Sequence, residues 1–455
     1  MMLRTIAIAW LTIREAVRSR LLLSLTALLV GGLFGLPLLI AGDNTLEGQI
    51  QVILSYTTTF ATTLLSITTL LTACGGLSSD IQDRRLYLVV TKPLHRYELW
   101  LGKWLGIMAL NVALLTLSGF IISAMARHAI QASSDSIQHK RQVSEQFLLA
   151  REALRPLTPD WSQIAEEATQ RLIKSGRVPD HMTPQAIQQK VIEEMKIQRF
   201  TIPPGGGVQF SFERPEGGPT GHALILSYKF DSTRPERSPV AAQWTISNAS
   251  GPPEQVAVTN YPGIPANLVL EDNFSPGTNK ITVAYQRLDS HSQATLIFAD
   301  KTQEPELLIT YGSFEMNLIR GLIIVLARLA FLTALGLSAG CLLSTPVAVF
   351  VAFFIIILIA SAGYVESVAT SGVFYIPHEG PSLEQTRLDR VVLHLFQFFN
   401  VVTHPLTELD ANPLLSTGRV IRWQLALRAL GLLAGLYGAI TAFVGIMLFN
   451  RRELG

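Results

Sequence analysis

Long apolar runs near both ends of the chain, separated by one broad polar stretch, set the pattern of this sequence. Leu21 to Ala41 carries no charge. It is as long as the roughly 20 residues a helix needs to cross the hydrocarbon core of a bilayer. A second run extends from about Ile50 to Leu77 and a third from about Trp104 to Ala126. Beyond the polar stretch, Met316 to Val365 is too long for one crossing. Ser344-Thr345-Pro346 divides it, because proline restricts the residue before it and ends helices. The fourth and fifth spans then form a tight hairpin, and a sixth runs from about Trp423 to Phe449.

The polar stretch reads as a domain in two parts. Residues 127–202 are expected to be helical: His128 to Arg155, Asp160 to Lys174, then Pro184 to Gln198 with Thr183 as N-cap and proline at the first helical position. The character changes at Pro203-Pro204-Gly205-Gly206-Gly207. From there to residue 315, short β-branched or alternating runs recur between turn residues: Val208 to Phe212, Ala223 to Phe230, Gln243 to Ser247, Gln255 to Thr259, Asn267 to Leu270, Lys280 to Gln286, Ala294 to Phe298 and Leu307 to Tyr311. About eight short strands at this spacing predict an antiparallel β-sandwich, of which a jelly roll is one form. The expected fold is therefore an α-helical membrane protein with six transmembrane helices and a large extracytoplasmic α+β insertion. Residues 1–20 form a surface helix and 21–126 the first three spans, with a polar segment at 78–103. The insertion occupies 127–315, and 316–455 hold the last three spans.

Composition agrees with a bilayer as main solvent: of 455 residues 49% are hydrophobic and 15% charged. A net charge of +2 gives no whole-chain attraction to nucleic acid. Cys74 and Cys341 both lie inside apolar runs and read as packing residues, not as a disulfide framework. No three-residue or helical histidine spacing suggests a metal site. Local charge is more telling. The N-terminal arginines, the group Arg84, Arg85, Lys92, Arg96 and Lys103, and the terminal Arg451 and Arg452 fall on one side of six crossings. By the bias of lysine and arginine toward the cytoplasm, both termini are expected inside and 127–315 outside. Segment 366–422 fits less simply, since Arg387, Arg390, Arg419 and Arg422 would be external. Its apolar piece Val391 to Val402 suggests a partly re-entrant or interfacial helix, the alternative being a different crossing count. Before the first span, Leu3, Ile6, Trp10, Ile13 and Val17 share one helical arc while Arg4, Arg14, Glu15 and Arg18 share another, as in a helix lying on the membrane surface. No small-x-small cleavage site follows, which argues against a secretory signal.

Four features, in order, carry a resemblance: this amphipathic helix, the block Thr91-Lys92-Pro93-Leu94-His95-Arg96-Tyr97-Glu98-Leu99-Trp100-Leu101-Gly102-Lys103, the hairpin Ser344-Thr345-Pro346-Val347-Ala348-Val349-Phe350, and the closing Phe449-Asn450-Arg451-Arg452-Glu453-Leu454-Gly455. The six-span core resembles the membrane subunit of ABC-2 type ATP-binding-cassette transporters, in the branch with permeases of gliding motility and of nitrous oxide reductase maturation. Asp83-Arg84-Arg85-Leu86 stands where such proteins often carry Glu followed by Gly-Thr. The resemblance implies a multi-pass protein of the bacterial inner membrane, paired with a second permease as homodimer or with a related subunit, each resting on a cytoplasmic ABC ATPase. Pro93 would start a coupling helix, Tyr97, Trp100 and Leu101 would enter a groove on the ATPase, and Arg96, Glu98 and Lys103 would fix register. The other reading makes these residues ordinary anchors at the membrane surface. The chain has no Gly-x4-Gly-Lys-Ser/Thr segment to cradle phosphates, so it is expected to be no enzyme itself and to hold no cofactor, with ATP and Mg on the partner.

Inside the spans, Arg320 and Arg328 are costly charges that suggest contact with an anionic substrate or lipid, or snorkelling to the headgroups. Arg428 is treated like Arg320. Thr58, Thr62 and Thr69 belong to a threonine-rich second span that would line a path or hydrogen-bond across a helix interface. In the insertion, Trp244, Tyr228 and Tyr285 would stack on a sugar or fill the core. These features lead to export or flipping of a lipid, glycan or other hydrophobic or polymeric substrate. The rival expectation is mechanical transmission, without transport, to a periplasmic protein or lipoprotein; a third is a membrane-anchored carbohydrate receptor.

Overall fold

The computed structural model describes residues 2–40, 46–82, 95–133, 140, 143, 148–157, 165–166, 168–171, 191, 200–214, 224–233, 238–248, 253–270, 280–288, 295–298, 304–371 and 387–451. It divides into two compact units, Met1–Leu148 with Ser313–Gly455, and Leu149–Gly312.

The first unit is helical. α1 is Met2–Arg18, α2 Arg20–Leu39, α3 Leu46–Gln82 and α4 Arg96–Ala132. After the insertion come α5 at Phe314–Leu342, α6 at Thr345–Ala360, α7 at Ala362–Ser371, α8 at Arg387–Glu408, α9 at Asn412–Ser416, and a final helix α10 over Trp423–Arg451 whose stretch Leu430–Tyr437 is π-helical. Among the described residues five helices, α2, α3, α4, α5 and α10, are long and apolar enough to cross a membrane. The expected fifth span emerges as α6, 16 residues long, followed by α7. Its break from α5 falls where the sequence predicts it, with Ser344 as N-cap and Pro346 in the first turn.

α5 is the most buried of the five and α2 the least. Small residues let α3 approach α5 closely. A Cβ on Gly336 would fall 2.7 Å from that of Ala73, and one on Gly340 2.7 Å from the Cys74 carbonyl oxygen. In this small-x-x-x-small contact, packing between backbones replaces the hydrophobic drive that lipid does not supply.

The second unit is a β structure with its own core. Its strands are β1 Leu149–Leu154, β2 Thr201–Ile202, β3 Gly207–Glu213, β4 Leu224–Tyr228, β5 Asp231–Ser232, β6 Val240–Asn248, β7 Glu254–Asn260, β8 Ala266–Leu270, β9 Lys280–Arg287, β10 Leu296–Ile297 and β11 Glu306–Ser313. Two four-stranded sheets have the orders β1-β11-β4-β8 and β3-β9-β6-β7, and a small third sheet is β2-β10-β5. Pairs β3–β9, β9–β6, β6–β7, β11–β4 and β4–β8 are antiparallel. Alternation fills the space between them: Phe210 and Phe212, Trp244 and Ile246, and Val283 and Tyr285 meet Leu224, Leu226, Tyr228 and Ile309 in one cluster. Trp244 lies 4.8 Å by ring centroid from both Tyr228 and Tyr285. These aromatics are core residues, which overturns the sugar-stacking reading.

The helical expectation for 127–202 needs correction. α4 continues through Ala132, but Leu149–Leu154 is a strand beside β11, and Thr201–Ile202 pairs with β10. Leu-Ala-Arg-Glu-Ala-Leu favours helix by propensity, and pairing beside β11 at the edge of a sheet overrides it. The predicted helix Pro184 to Gln198 with its Thr183 cap lies outside the described residues, Val191 apart.

Candidate functional site

The basic end of the bundle is organised by a glycine pair on α4. A Cβ on Gly102 would sit 2.6 Å from Ile8 Cβ, and one on Gly106 2.8 Å from the Ala9 carbonyl oxygen. Gly102-x-x-x-Gly106 thus makes the groove in which α1 lies. The amphipathic helix has three faces, not two. Thr12 and Ala16 are buried on the packing face, Arg4, Arg14 and Arg18 are on a charged face, and Leu3, Ile6, Trp10 and Val17 stay exposed. An exposed apolar stripe beside a charged one suits a helix lying in a membrane interface.

α4 begins at His95, whose backbone N–H donates to a Glu98 carboxylate oxygen at 3.3 Å. The helix then runs unbroken to Ala132, so the expected coupling segment and the third span form one rod. Trp100 is 1% exposed and packs with Leu77 and Phe449. Lys103 Nζ lies 2.5 Å from Asp80 Oδ2 on the last turn of α3 and donates to the Gly76 carbonyl at 2.8 Å. Arg96 donates to the Phe449 carbonyl and, at 3.2 Å, to that of Asn450, while its guanidinium lies 5.4 Å from the Phe449 ring centroid. These contacts stitch the start of α4 to the end of α10.

Three assignments change as a result. Glu98, Trp100 and Lys103 are buried within the chain, where a cap, an apolar cluster and an ion pair occupy them, so they form no docking surface in this conformation. Arg96 is partly committed to the α10 carbonyls. Leu101 is exposed and Tyr97 is half-buried, stacked on His95. Pro93, with Arg84, Arg85 and Lys92, lies outside the described residues. The pair was legible as a Gly-x-x-x-Gly spacing that starts at the end of the block and reaches beyond it to Gly106, yet only the contact with α1 gives it a role.

A second polar group lies inside the bundle. Thr58 and Thr62 bond back to carbonyls of their own helix, Thr62 also reaching Asn412 Oδ1 at 3.4 Å. Thr69 donates to Asn111 Oδ1 at 2.9 Å across α3 and α4. The hydroxyls are buried and engaged, Thr69 and Thr62 across to other elements and Thr58 within its own helix, so these threonines do not line an open path. Thr62 is about 24 Å along α3 from its start, so Asn412 is packed deep against that helix. Leu409, Ala411 and Leu415 join the bundle core there. Arg328 has Asp410 as its opposite charge, and its Nε is buried without a hydrogen-bond partner among the described residues. Arg320 donates to the Ile421 carbonyl at 3.0 Å and lies 5.2 Å from the Trp423 ring centroid, which makes it an anchor for the loop before α10 and no free headgroup contact. Asn317 clamps the same loop through the Arg419 carbonyl and the Ile421 N–H. Arg428 pairs with Glu408 at 3.2 Å.

Between α4 and α5 a groove of about 760 Å³ has apolar walls including Leu115, Phe120, Leu318 and Leu322, and carries the Arg127–Glu315 ion pair at one end. Among the described residues no cluster of His, Cys, Asp or Glu could hold a metal. No family model matches the chain, and no curated protein matches it.

Proposed function

We propose that this chain is the permease subunit of an ABC-2 type transporter, driven by a separate cytoplasmic ATPase and moving a lipid or other hydrophobic substrate outward. The observation that carries the reading is the short basic connection between α3 and α4, two membrane-length helices, flanked by a surface helix clamped in the Gly102–Gly106 groove. A push on that connection would travel along α4 as one rod and, through Arg96 and Trp100, to the end of α10. The apolar groove between α4 and α5 supports a hydrophobic substrate. In this reading α6 and α7 together complete a sixth crossing, both termini are cytoplasmic, segment 366–422 is external and partly re-entrant, entering the bundle core at residues 409–415 and not at its apolar piece Val391 to Val402, and the exposed faces of α2 and α10 meet lipid or a second permease. The strand orders of the insertion are those that two interlocked Greek keys produce, which supports a jelly roll on the periplasmic side.

A second reading, mechanical transmission to a periplasmic partner, is favoured by the tight α3–α5 contact and the engaged threonines. Purification of the tagged full chain from native membranes tests both. ATP hydrolysis should accompany it and should fall when Tyr97→Ala is combined with Leu101→Glu and with reversal of Arg84 and Arg85. Cys74 and Cys341 are buried, so a cysteine at Leu86 gives a clean label for sidedness. Labelling of that site from the periplasm, or a purified chain with no ATP-hydrolysing companion, would rule the proposal out.

A further inference from the structure

A cleft of about 550 Å³ lies between α1 and the adjoining ends of α3 and α4. The charged and polar residues at its mouth are Arg14, Glu15, Arg18, Ser19, Asp80 and Lys103. A second cavity of about 210 Å³ shares Thr12, Glu15, Ser19 and Lys103 with it and continues to Leu71, Ile107 and Leu337. The two adjoin through these shared residues, as a slot with a polar mouth and a mainly apolar floor that also carries Thr72 and Ser79.

Three properties say what fits. Lys103 is already paired with Asp80, and Glu15 offsets one of Arg14 and Arg18, one helical turn apart on α1, so the mouth keeps a single net positive charge carried by the arginine pair. Guanidinium pairs bind phosphate through parallel N–H bonds. From Asp80 to Leu71 the slot descends along α3 by about 14 Å at 1.5 Å per residue. That is close to the depth of one leaflet of a hydrocarbon core about 30 Å thick. Finally, the floor is open because of a glycine: a Cβ on Gly75 would meet nothing within 4 Å.

We propose that this slot binds an anionic phospholipid, with its phosphate between Arg14 and Arg18 and one acyl chain descending toward Leu71 and Ile107. A soluble phosphate would satisfy the arginines and leave the floor empty, and a zwitterionic lipid would leave the mouth's positive charge uncompensated. Naming the leaflet as cytoplasmic rests on the orientation proposed above; the binding itself does not, and the assay needs no ATPase.

The test is native mass spectrometry of the purified full chain in detergent, titrated with phosphatidylglycerol, with phosphatidylcholine of the same chains, and with glycerol 3-phosphate. Phosphatidylglycerol should bind at least about tenfold more tightly than phosphatidylcholine, consistent with one or more charge-assisted contacts. The double variant Arg14→Gln/Arg18→Gln should erase that preference, whereas Arg4→Gln, outside the cleft, should keep it. Gly75→Leu should fill the floor and weaken phosphatidylglycerol by a similar factor. Arg14 and Arg18 are exposed and a Cβ at Gly75 meets nothing within 4 Å, and unchanged thermal melting of each variant confirms that it still folds. Equal binding of the two lipids, an unchanged double variant, loss of preference in Arg4→Gln, or glycerol 3-phosphate competing as well as the lipid would each overturn the site.

Discussion

Lys103 is about as buried as an ammonium group gets in this bundle, and Asp80 with the Gly76 carbonyl keeps it there. Breaking such a pair leaves a charge without compensation and costs about 3–5 kcal/mol, whereas replacing both partners with apolar residues is often neutral. Asp80→Asn should therefore lower the melting temperature of the detergent-solubilised protein sharply, and Asp80→Leu/Lys103→Met should restore most of it. Trp100→Ala removes a fully buried side chain and should cost a similar amount, about 3–5 kcal/mol. Both results would be misread as failed partner docking unless folding were measured alongside. In the β unit, burial pushes the Tyr228 phenol up, and its hydroxyl donates to Asn260 Oδ1 at 2.8 Å. A raised phenol pKa means stability that is complete below about pH 10, the unfolded value, and is lost as pH rises through the folded value. Thermal melting of the unit against pH should show this alkaline loss, and Tyr228→Phe should reduce it.

At the scale of elements, two pairs of glycines four apart decide how helices meet. Gly336→Leu would drive a side chain into Ala73 and should destabilise the whole bundle, since α5 is its most buried helix. Gly102→Leu would collide with Ile8 and should release α1 alone. Limited proteolysis separates the two outcomes: early cleavage near residue 19 with an intact remainder is expected for Gly102→Leu, and general loss of resistance for Gly336→Leu. Most elements were legible beforehand. The hydropathy runs found α2, α3, α4, α5 and α10, proline placed the α5–α6 break, and alternation located all eight predicted strands. Leu149–Leu154 was not legible, because its residues favour helix and only pairing beside β11 makes it a strand. Nor was the continuity of α4: a polar, proline-led block before an apolar run looks like a separate helix, and the His95–Glu98 cap starts both as one.

For the molecule as a whole, the division into two units gives a direct expectation. Residues 149–312 have a self-contained aromatic core and should unfold in one cooperative transition when expressed alone, as followed by circular dichroism. A non-cooperative melt would mean that this core needs the rest of the chain. By itself the sequence determined which segments are apolar helices of span length and which are alternating strands, since these depend on composition and period, which are local. It also marked the basic end where α1 meets the start of α4. Which way each side chain points was decided only by tertiary structure. Trp100 and Lys103 carry the same chemistry whether they face a partner or a neighbouring helix, and the threonines of α3 the same hydroxyls whether they line a path or bind a carbonyl. The rotation of each rod, set by the glycine contacts between helices, turned those groups inward and opened the slot beneath Arg14 and Arg18.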